Sequence, residues 1–421
     1  MVLMGIAVIG CPRSLARGVW PMDIPLQNLG AAIIVGAAFL ASRLFRESPQ
    51  RAALPWPAQL LVVVILYSLA VGVLHSGSPT FFWYFFAREG VWLAVCVAGI
   101  LVASALPSGG ETVLILEMCG IGAVLLLIFS VALRLDFLGP PEESTGRRLD
   151  VALFALATVA LCTMPIVARV ATREKRRAGV VLALSSLSVV AFGVVSGTRS
   201  VLMVWVFAAA LSGYFLLRAR VISKVTIVGL ILICGAAATV LWRVGELQVV
   251  TDRFRDPEAM VENIRLTEAR EFLERWEEWF PFGAGIGVGF RTVVGVWADA
   301  GVTPYDGLVN APHIGIMAWT IKAGLFGAFF SIVLIAGVLR ALKTPRKTLC
   351  RTIDCYPGVA VLLAIGSISG GWTMVDLFLT GLFVAVGDRA VRAAEGNRQS
   401  GRSGKWNIRG ARGDDAARGL R

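Results

Sequence analysis

The chain has 421 residues, of which 57% are hydrophobic and only 16% are charged. A soluble domain is roughly 45–50% apolar and about 25% charged, so the composition argues against a water-soluble fold. The formal net charge of +12 lies mainly in short loops and a Gly/Arg-rich tail. It therefore argues against a nucleic-acid-binding surface, which would concentrate positive charge on a folded face.

Runs of about 20 mainly apolar residues mark the membrane-spanning helices in chain order. A short segment, 2–11, is predicted to open the set, and the last run, 356–386, to form a two-helix hairpin interrupted at Gly370 and Gly371. The spans between them are 27–44, 56–75, 81–106, 111–133, 150–170, 179–195, 201–217, 221–242 and 314–339. The sequence thus predicts an all-α integral membrane fold of about twelve transmembrane helices, with one large external loop containing an amphipathic helix.

Lysine and arginine clusters assign the two sides of the membrane. Basic loops near Arg43, Arg173, Arg218 and Arg340 alternate with the spans, which places them and the tail in the cytoplasm. The predicted domains are N-terminal transmembrane helices 1–243, an external (periplasmic-side) loop 244–312, C-terminal transmembrane helices 313–388 and a disordered basic cytoplasmic tail 389–421.

Neither the cysteines nor the carboxylates indicate a metal site. The seven cysteines contain no C-x-x-C pair, and the external loops contain no D-x-D pair. Magnesium or manganese would require a set of oxygen ligands. We therefore predict no metal and no cofactor, and an arginine-based site instead.

The external loop contains the pattern of an amphipathic helix over residues 257–280. Asp256 and Pro257 are typical of a helix start, and Pro281 ends the pattern. The predicted apolar face contains Ile264, Phe272, Trp276, Trp279 and Phe280, and the predicted polar face contains Glu268, Glu271, Glu274 and Glu278. Two interpretations are open: Trp276 and Trp279 lie at the headgroup level of the bilayer, or the helix packs on neighbouring loops.

Four alternating glycines, from Gly283 to Gly289, follow this helix. A nucleotide-binding loop would need a preceding strand and a following helix, and the sequence indicates neither. The run is interpreted as a tight segment that returns toward the membrane and approaches a neighbour, such as a ligand, closely.

Several charged residues lie at or inside the predicted spans. Arg199 lies in an external turn before a helix N-terminus, a suitable place to bind an anion such as phosphate, or to extend to water. His313 lies where the external loop re-enters the membrane, in either a catalytic or a structural role. Lys322 and Arg88 lie deeper, where a charge marks a function or needs a partner; Glu89 follows Arg88 directly.

Three blocks of sequence surround the external loop in a fixed order. The first is the Ser-Gly-Thr-Arg-Ser turn that ends at Ser200. The second runs from Arg265 through an aromatic-rich helix to Pro281-Phe282-Gly283-Ala284-Gly285-Ile286-Gly287. The third is Ala311-Pro312-His313 with Gly324-Leu325-Phe326-Gly327 downstream. In this order, over roughly residues 180–339, the chain resembles the O-antigen ligase / O-antigen polymerase family of polytopic membrane glycosyltransferases.

This resemblance implies transfer of a glycan from an undecaprenyl-diphosphate carrier to an acceptor hydroxyl, outside the cytoplasmic (inner) membrane. Arg199 and Arg265 would hold the diphosphate, and His313 would orient or deprotonate the hydroxyl. Lys322 and Arg88 are further candidate substrate-binding residues. The expected reaction is inverting and metal-independent. The family commonly has asparagine directly after the histidine, where this chain has Ile314.

The sequence leaves more than one function open. A ligase and a polymerase share this fold and chemistry and differ in the acceptor, which is a lipid core, a protein or another carrier-linked glycan chain. A non-catalytic transporter or flippase of lipid-linked sugars would use the same arginines only to bind diphosphate. In each case the expected partners are a lipid-linked glycan and membrane lipids, with no nucleic acid.

Overall fold

A computed structural model of the chain describes five continuous stretches and several shorter ones. The stretches are 26–44, 56–76, 82–105, 264–291 and 314–343, with 308–309, 312, 376–385 and scattered positions from 117 to 214. The predicted spans 150–170 and 221–242, the opening segment 2–11 and the tail 389–421 lie outside the described residues and stay predictions.

The described residues are mostly helical, as the apolar runs predict. The helices are α1 (Leu26–Leu44), α2 (Trp56–Leu74), α3 (Phe82–Ala105), α4 (Ile264–Glu274), α5 (Trp276–Trp279), α6 (Gly315–Lys343) and α7 (Asp376–Ala385). In lipid a helix satisfies its backbone hydrogen bonds internally, which is why such runs become helices. Isolated helical positions between 117 and 214 fall within three more predicted spans.

Three segments are long and apolar enough to cross a membrane within the part of the chain that the structure describes. They are Trp56–Leu74, Phe85–Ala105 and Gly315–Gly337. The predicted spans 56–75, 81–106 and 314–339 coincide with them, which confirms this part of the membrane prediction. The full number of about twelve stays a prediction.

The long helices pack around α3. Helix α1 packs against α3, and α2 packs against both α3 and α6. Gly99 of α3 lies against the Phe378 backbone of α7, and Gly381 of α7 lies against the Cys96 backbone of α3. These reciprocal small residues let the two helix backbones approach closely, as is typical of helix crossings in membranes.

Gly99→Ala is expected to destabilise the protein by about 1–3 kcal/mol, because the new methyl group overlaps a backbone carbonyl that cannot rotate away. Gly90→Ala is the matched control on the same helix, since none of the described atoms lies within 4 Å of a Cβ added there. That control should be neutral or slightly stabilising. Thermal unfolding of the purified variants measures both, and equal melting temperatures would contradict the close crossing.

Between residues 264 and 309 the structure describes two short helices, a turn and a small strand pair. Helix α4 ends at Glu274 and α5 begins at Trp276, because the backbone of Arg275 leaves helical geometry (φ −114°, ψ 21°). Strand β1 (Phe290–Arg291) pairs antiparallel with β2 (Leu308–Val309). The predicted helix 257–280 is therefore interrupted in its described part, and residues 257–263 lie outside the described residues.

The predicted division of this helix into an apolar and a polar face is wrong in part. Trp279 is buried in a cluster with Ala284 and Ile321, whereas Trp276 is about half exposed and Glu268 is fully buried. The break at Arg275 shifts the phase of the residues that follow it, so one continuous 3.6-residue period does not describe both halves. For Trp279 the packed interpretation holds; a headgroup position for Trp276 stays a prediction.

Candidate functional site

Helix α6 is broken at Gly324, nine residues after its start. Gly324 has φ 54° and ψ −131°, a conformation that glycine enters readily and other residues do not. A Cβ at this position would overlap the carbonyl oxygen of Pro281. The N–H of Leu325, directly after the break, donates to that same carbonyl at 2.8 Å.

Residues 281–288, here called the glycine segment, supply hydrogen bonds that the break removes from α6. The N–H of Ala284 donates to the Ile321 carbonyl (2.7 Å), and the N–H of Gly285 donates to the Lys322 carbonyl (3.1 Å). In an uninterrupted helix these carbonyls would accept from residues four positions later. The glycine segment is thus inserted into the hydrogen-bond ladder of α6. It keeps the backbone groups on both sides of the break hydrogen-bonded within an apolar helix.

The other side of the glycine segment packs on α2. The N–H of Ile286 donates to the Ser68 carbonyl (3.1 Å), and the Tyr67 hydroxyl donates to the Phe282 carbonyl (2.9 Å). Gly285 has φ 79° and lies against Gly72 of α2. A Cβ on Gly285 would overlap the backbone of Gly72, and a Cβ on Gly72 would overlap the backbone of Ile286. The segment is therefore held between two helices by its backbone.

A buried ion pair closes the end of the glycine segment. The Lys322 ammonium donates to Glu89 Oε1 at 2.7 Å, and both side chains have 0% exposure. Lys322 Nζ also donates to the Val288 carbonyl (2.7 Å), and the N–H of Gly287 donates to Glu89 Oε2 (2.9 Å). A buried charge is tolerated only when it is paired and hydrogen-bonded, and both conditions are met here.

The glycine run does not form an anion-binding loop. The N–H groups of the five successive residues 283–287 all donate to protein acceptors, the first of them from Gly283 to the Trp279 carbonyl at 2.6 Å. An anion site of the backbone type needs such groups to point at the ligand. The close approach predicted for these glycines is therefore made to α2, α3 and α6.

The side chains of three predicted site residues lie outside the described part of the chain. Arg199 and His313 lie outside the described residues, and the structure describes Arg265 by its backbone alone, as the second residue of α4. Their convergence on one cavity stays a prediction. Pro312, directly before His313, is buried.

The two deeper cations are described in full. Lys322 is bound to Glu89 and to the Val288 carbonyl, and the Arg88 guanidinium lies over the Trp92 ring, 4.9 Å from its centroid. Substrate binding by Lys322 and Arg88 stays a prediction. The sequence named Glu89, with Arg88, as an ionisable residue that could satisfy another helix, but it did not identify Lys322 as the partner. The available signal was that each lone charge inside an apolar span requires an opposite one.

The chain matches no protein-family model, and no curated protein is significantly similar to it.

Proposed function

We propose that this chain is a membrane glycosyltransferase that moves a glycan from an undecaprenyl-diphosphate carrier to an acceptor hydroxyl, as O-antigen ligases and polymerases do. The proposal includes about twelve transmembrane helices, a place in the inner membrane and a site that faces outward. The observation that carries it is the direct docking of the Pro281–Gly287 block on α6 at Gly324 and Leu325. The described parts of two of the three sequence blocks on which the resemblance depends thus form a single folded unit.

That unit joins the parts of the chain that would carry the chemistry. Arg265 lies on α4, which leads through α5 into the glycine segment. The same segment is bonded to α6, whose first residue follows His313 by two positions. A fixed connection between these elements is what a reaction needs when its charge-stabilising group and its base come from distant parts of the sequence.

In the proposed reaction the acceptor oxygen attacks the anomeric carbon of the donor sugar. His313 takes the proton of the acceptor hydroxyl as the new C–O bond forms, and the bond from the anomeric carbon to the phosphate oxygen breaks. Arg199 and Arg265 stabilise the negative charge that develops on the departing diphosphate, which their planar guanidinium groups bind in a bidentate manner. The products are a glycoside of inverted configuration and undecaprenyl diphosphate.

The purified protein in lipid nanodiscs, supplied with a glycan on undecaprenyl diphosphate and an acceptor, tests the proposal. We expect equal amounts of new glycoside and released undecaprenyl diphosphate. Movement of an intact donor across the bilayer of proteoliposomes, without release of the carrier, would show a transporter instead. In a deletion strain, unattached long chains on the carrier would indicate a ligase, and single repeat units would indicate a polymerase.

A further inference from the structure

We infer that Glu89 and Lys322 are positioning residues for the proposed transfer reaction, because they fix the backbone of Gly287 and Val288 and so set where the external loop leaves the membrane domain. The inference rests on the proposed function for its catalytic consequence. Its structural part stands on distances and burial alone.

The pair binds two backbone groups as well as each other. Glu89 on α3 uses one carboxylate oxygen for Lys322 and the other for the Gly287 N–H, and Lys322 on α6 donates to the Val288 carbonyl. Three contacts of 2.7–2.9 Å therefore join α3, α6 and the glycine segment at one buried point. An apolar pair would connect the helices but would leave the two backbone groups without these partners, which is costly at a buried site.

The contacts of Glu89 and Lys322 with the backbone lie where the glycine segment leads into β1. Gly287 and Val288 lie three and two positions before Phe290, the first residue of β1, which pairs with β2. On the other side of the segment, Trp279 of α5 is packed against Ile321 of α6. Loss of the Glu89–Lys322 pair would release residues 287–288, which lead to β1, while Trp279 stays packed against Ile321. The loop would then take a different path but remain attached to the protein.

A purely interhelical role for the pair makes a different prediction from a positioning role. The reversed pair, Glu89→Lys with Lys322→Glu, restores opposite charges between α3 and α6. A lysine at 89 cannot accept from the Gly287 N–H, and a carboxylate at 322 cannot donate to the Val288 carbonyl. The reversed pair therefore separates attraction between the helices from attachment of the loop.

The experiment compares the wild type, Glu89→Gln, the reversed pair and Glu274→Gln in nanodiscs, by amide hydrogen exchange and by steady-state transfer of the glycan. Glu274→Gln is the matched control, since it removes a carboxylate from an exposed pair with Arg270. In Glu89→Gln we expect exchange across residues 283–289 to rise by roughly three- to tenfold, with α2 unchanged. We expect kcat to fall by about 100-fold while KM for the donor changes little, as misplacement of reacting groups would cause.

The reversed pair decides between the two roles. We expect it to recover part of the melting temperature that Glu89→Gln loses, because opposite charges again join α3 and α6, while exchange in 283–289 stays raised and kcat stays low. Recovery of kcat together with stability, or a normal kcat in Glu89→Gln, would overturn the positioning role. Unchanged exchange in both Glu89→Gln and the reversed pair would overturn the attachment itself, since glutamine alone keeps one acceptor oxygen. A wild type that transfers no glycan but shows the exchange difference would overturn only the proposed reaction. The reversed pair keeps both charges, so exchange and kcat can still be measured in it if Glu89→Gln does not accumulate.

Discussion

Arg265→Ala is expected to lower the rate of glycan transfer by roughly 100- to 1000-fold, the usual effect of removing a group that stabilises developing charge. In the proposed reaction the guanidinium acts on the departing diphosphate, so kcat should fall more than the affinity for the donor. Arg265→Lys keeps the charge but loses the bidentate geometry, and an intermediate rate is expected. The measurement is release of undecaprenyl diphosphate by equal amounts of membrane-inserted protein.

Helix α4 provides a matched control for this substitution. Arg270 lies five positions later on the same helix, is 80% exposed and pairs with Glu274 at 2.8 Å. Arg270→Ala removes an arginine of the same helix from a solvated position and should leave transfer unchanged. A full rate in Arg265→Ala would refute the assignment of this residue, and an equal loss in Arg270→Ala would point to the helix as a whole instead.

Gly324→Ala is expected to destabilise the protein by at least about 3 kcal/mol, because it combines backbone strain with steric overlap. Alanine resists the backbone conformation of this residue, and its methyl group would overlap the Pro281 carbonyl and the backbone of Gly283. The helix could relieve the strain only by becoming continuous, which would displace the glycine segment from the Ile321 carbonyl. We therefore expect a lower melting temperature together with faster exchange in residues 283–289.

The same substitution in an open position controls for the change of residue. Gly36 lies in α1, and among the described residues no atom lies within 4 Å of a Cβ added there. Gly36→Ala should stabilise its helix slightly, since alanine is the better helix former. A Gly324→Ala variant as stable as wild type would mean that α6 tolerates an unbroken path and that the glycine segment does not depend on the break.

The membrane-spanning helices were the part of the fold most accessible from the sequence. Length and apolarity alone set α2 and α3 within one or two residues of their predicted bounds, because a helix in lipid depends on its own composition more than on its neighbours. The end of α6 was less well predicted: the apolar pattern stops at 339, whereas the helix continues to Lys343. A basic residue at the end of a span can remain helical with its charge at the membrane surface.

The break in α6 could not be predicted in the same way. Gly324 was noted as part of a motif, but a single glycine inside an apolar run is compatible with a continuous helix. What breaks the helix is a second segment of chain that takes over its carbonyls, from residues about 40 positions earlier. Such a tertiary exchange leaves no periodic signal.

The candidate site was predictable in its residue types and not in its pairings. The apolar surroundings of Lys322 required an opposite charge, yet Glu89 is 233 positions away in sequence, and no local pattern joins the two. The faces of α4 and α5 were predicted in part wrongly for a related reason. Trp276 is about half exposed and Glu268 is buried, and the break at Arg275 together with packing on α6 decides which aromatic residue enters the core.

The order of synthesis gives the exchanged hydrogen bonds of α6 a consequence for biogenesis. When the glycine segment emerges from the ribosome, α2 and α3 have already been translated, so Ser68 and Glu89 are available to it. Ile321 and Lys322, whose carbonyls accept hydrogen bonds from the segment, are translated only afterwards. A chain that stops before α6 would therefore lack the Lys322 ammonium that pairs with Glu89, and quality-control proteases would be expected to recognise such a product.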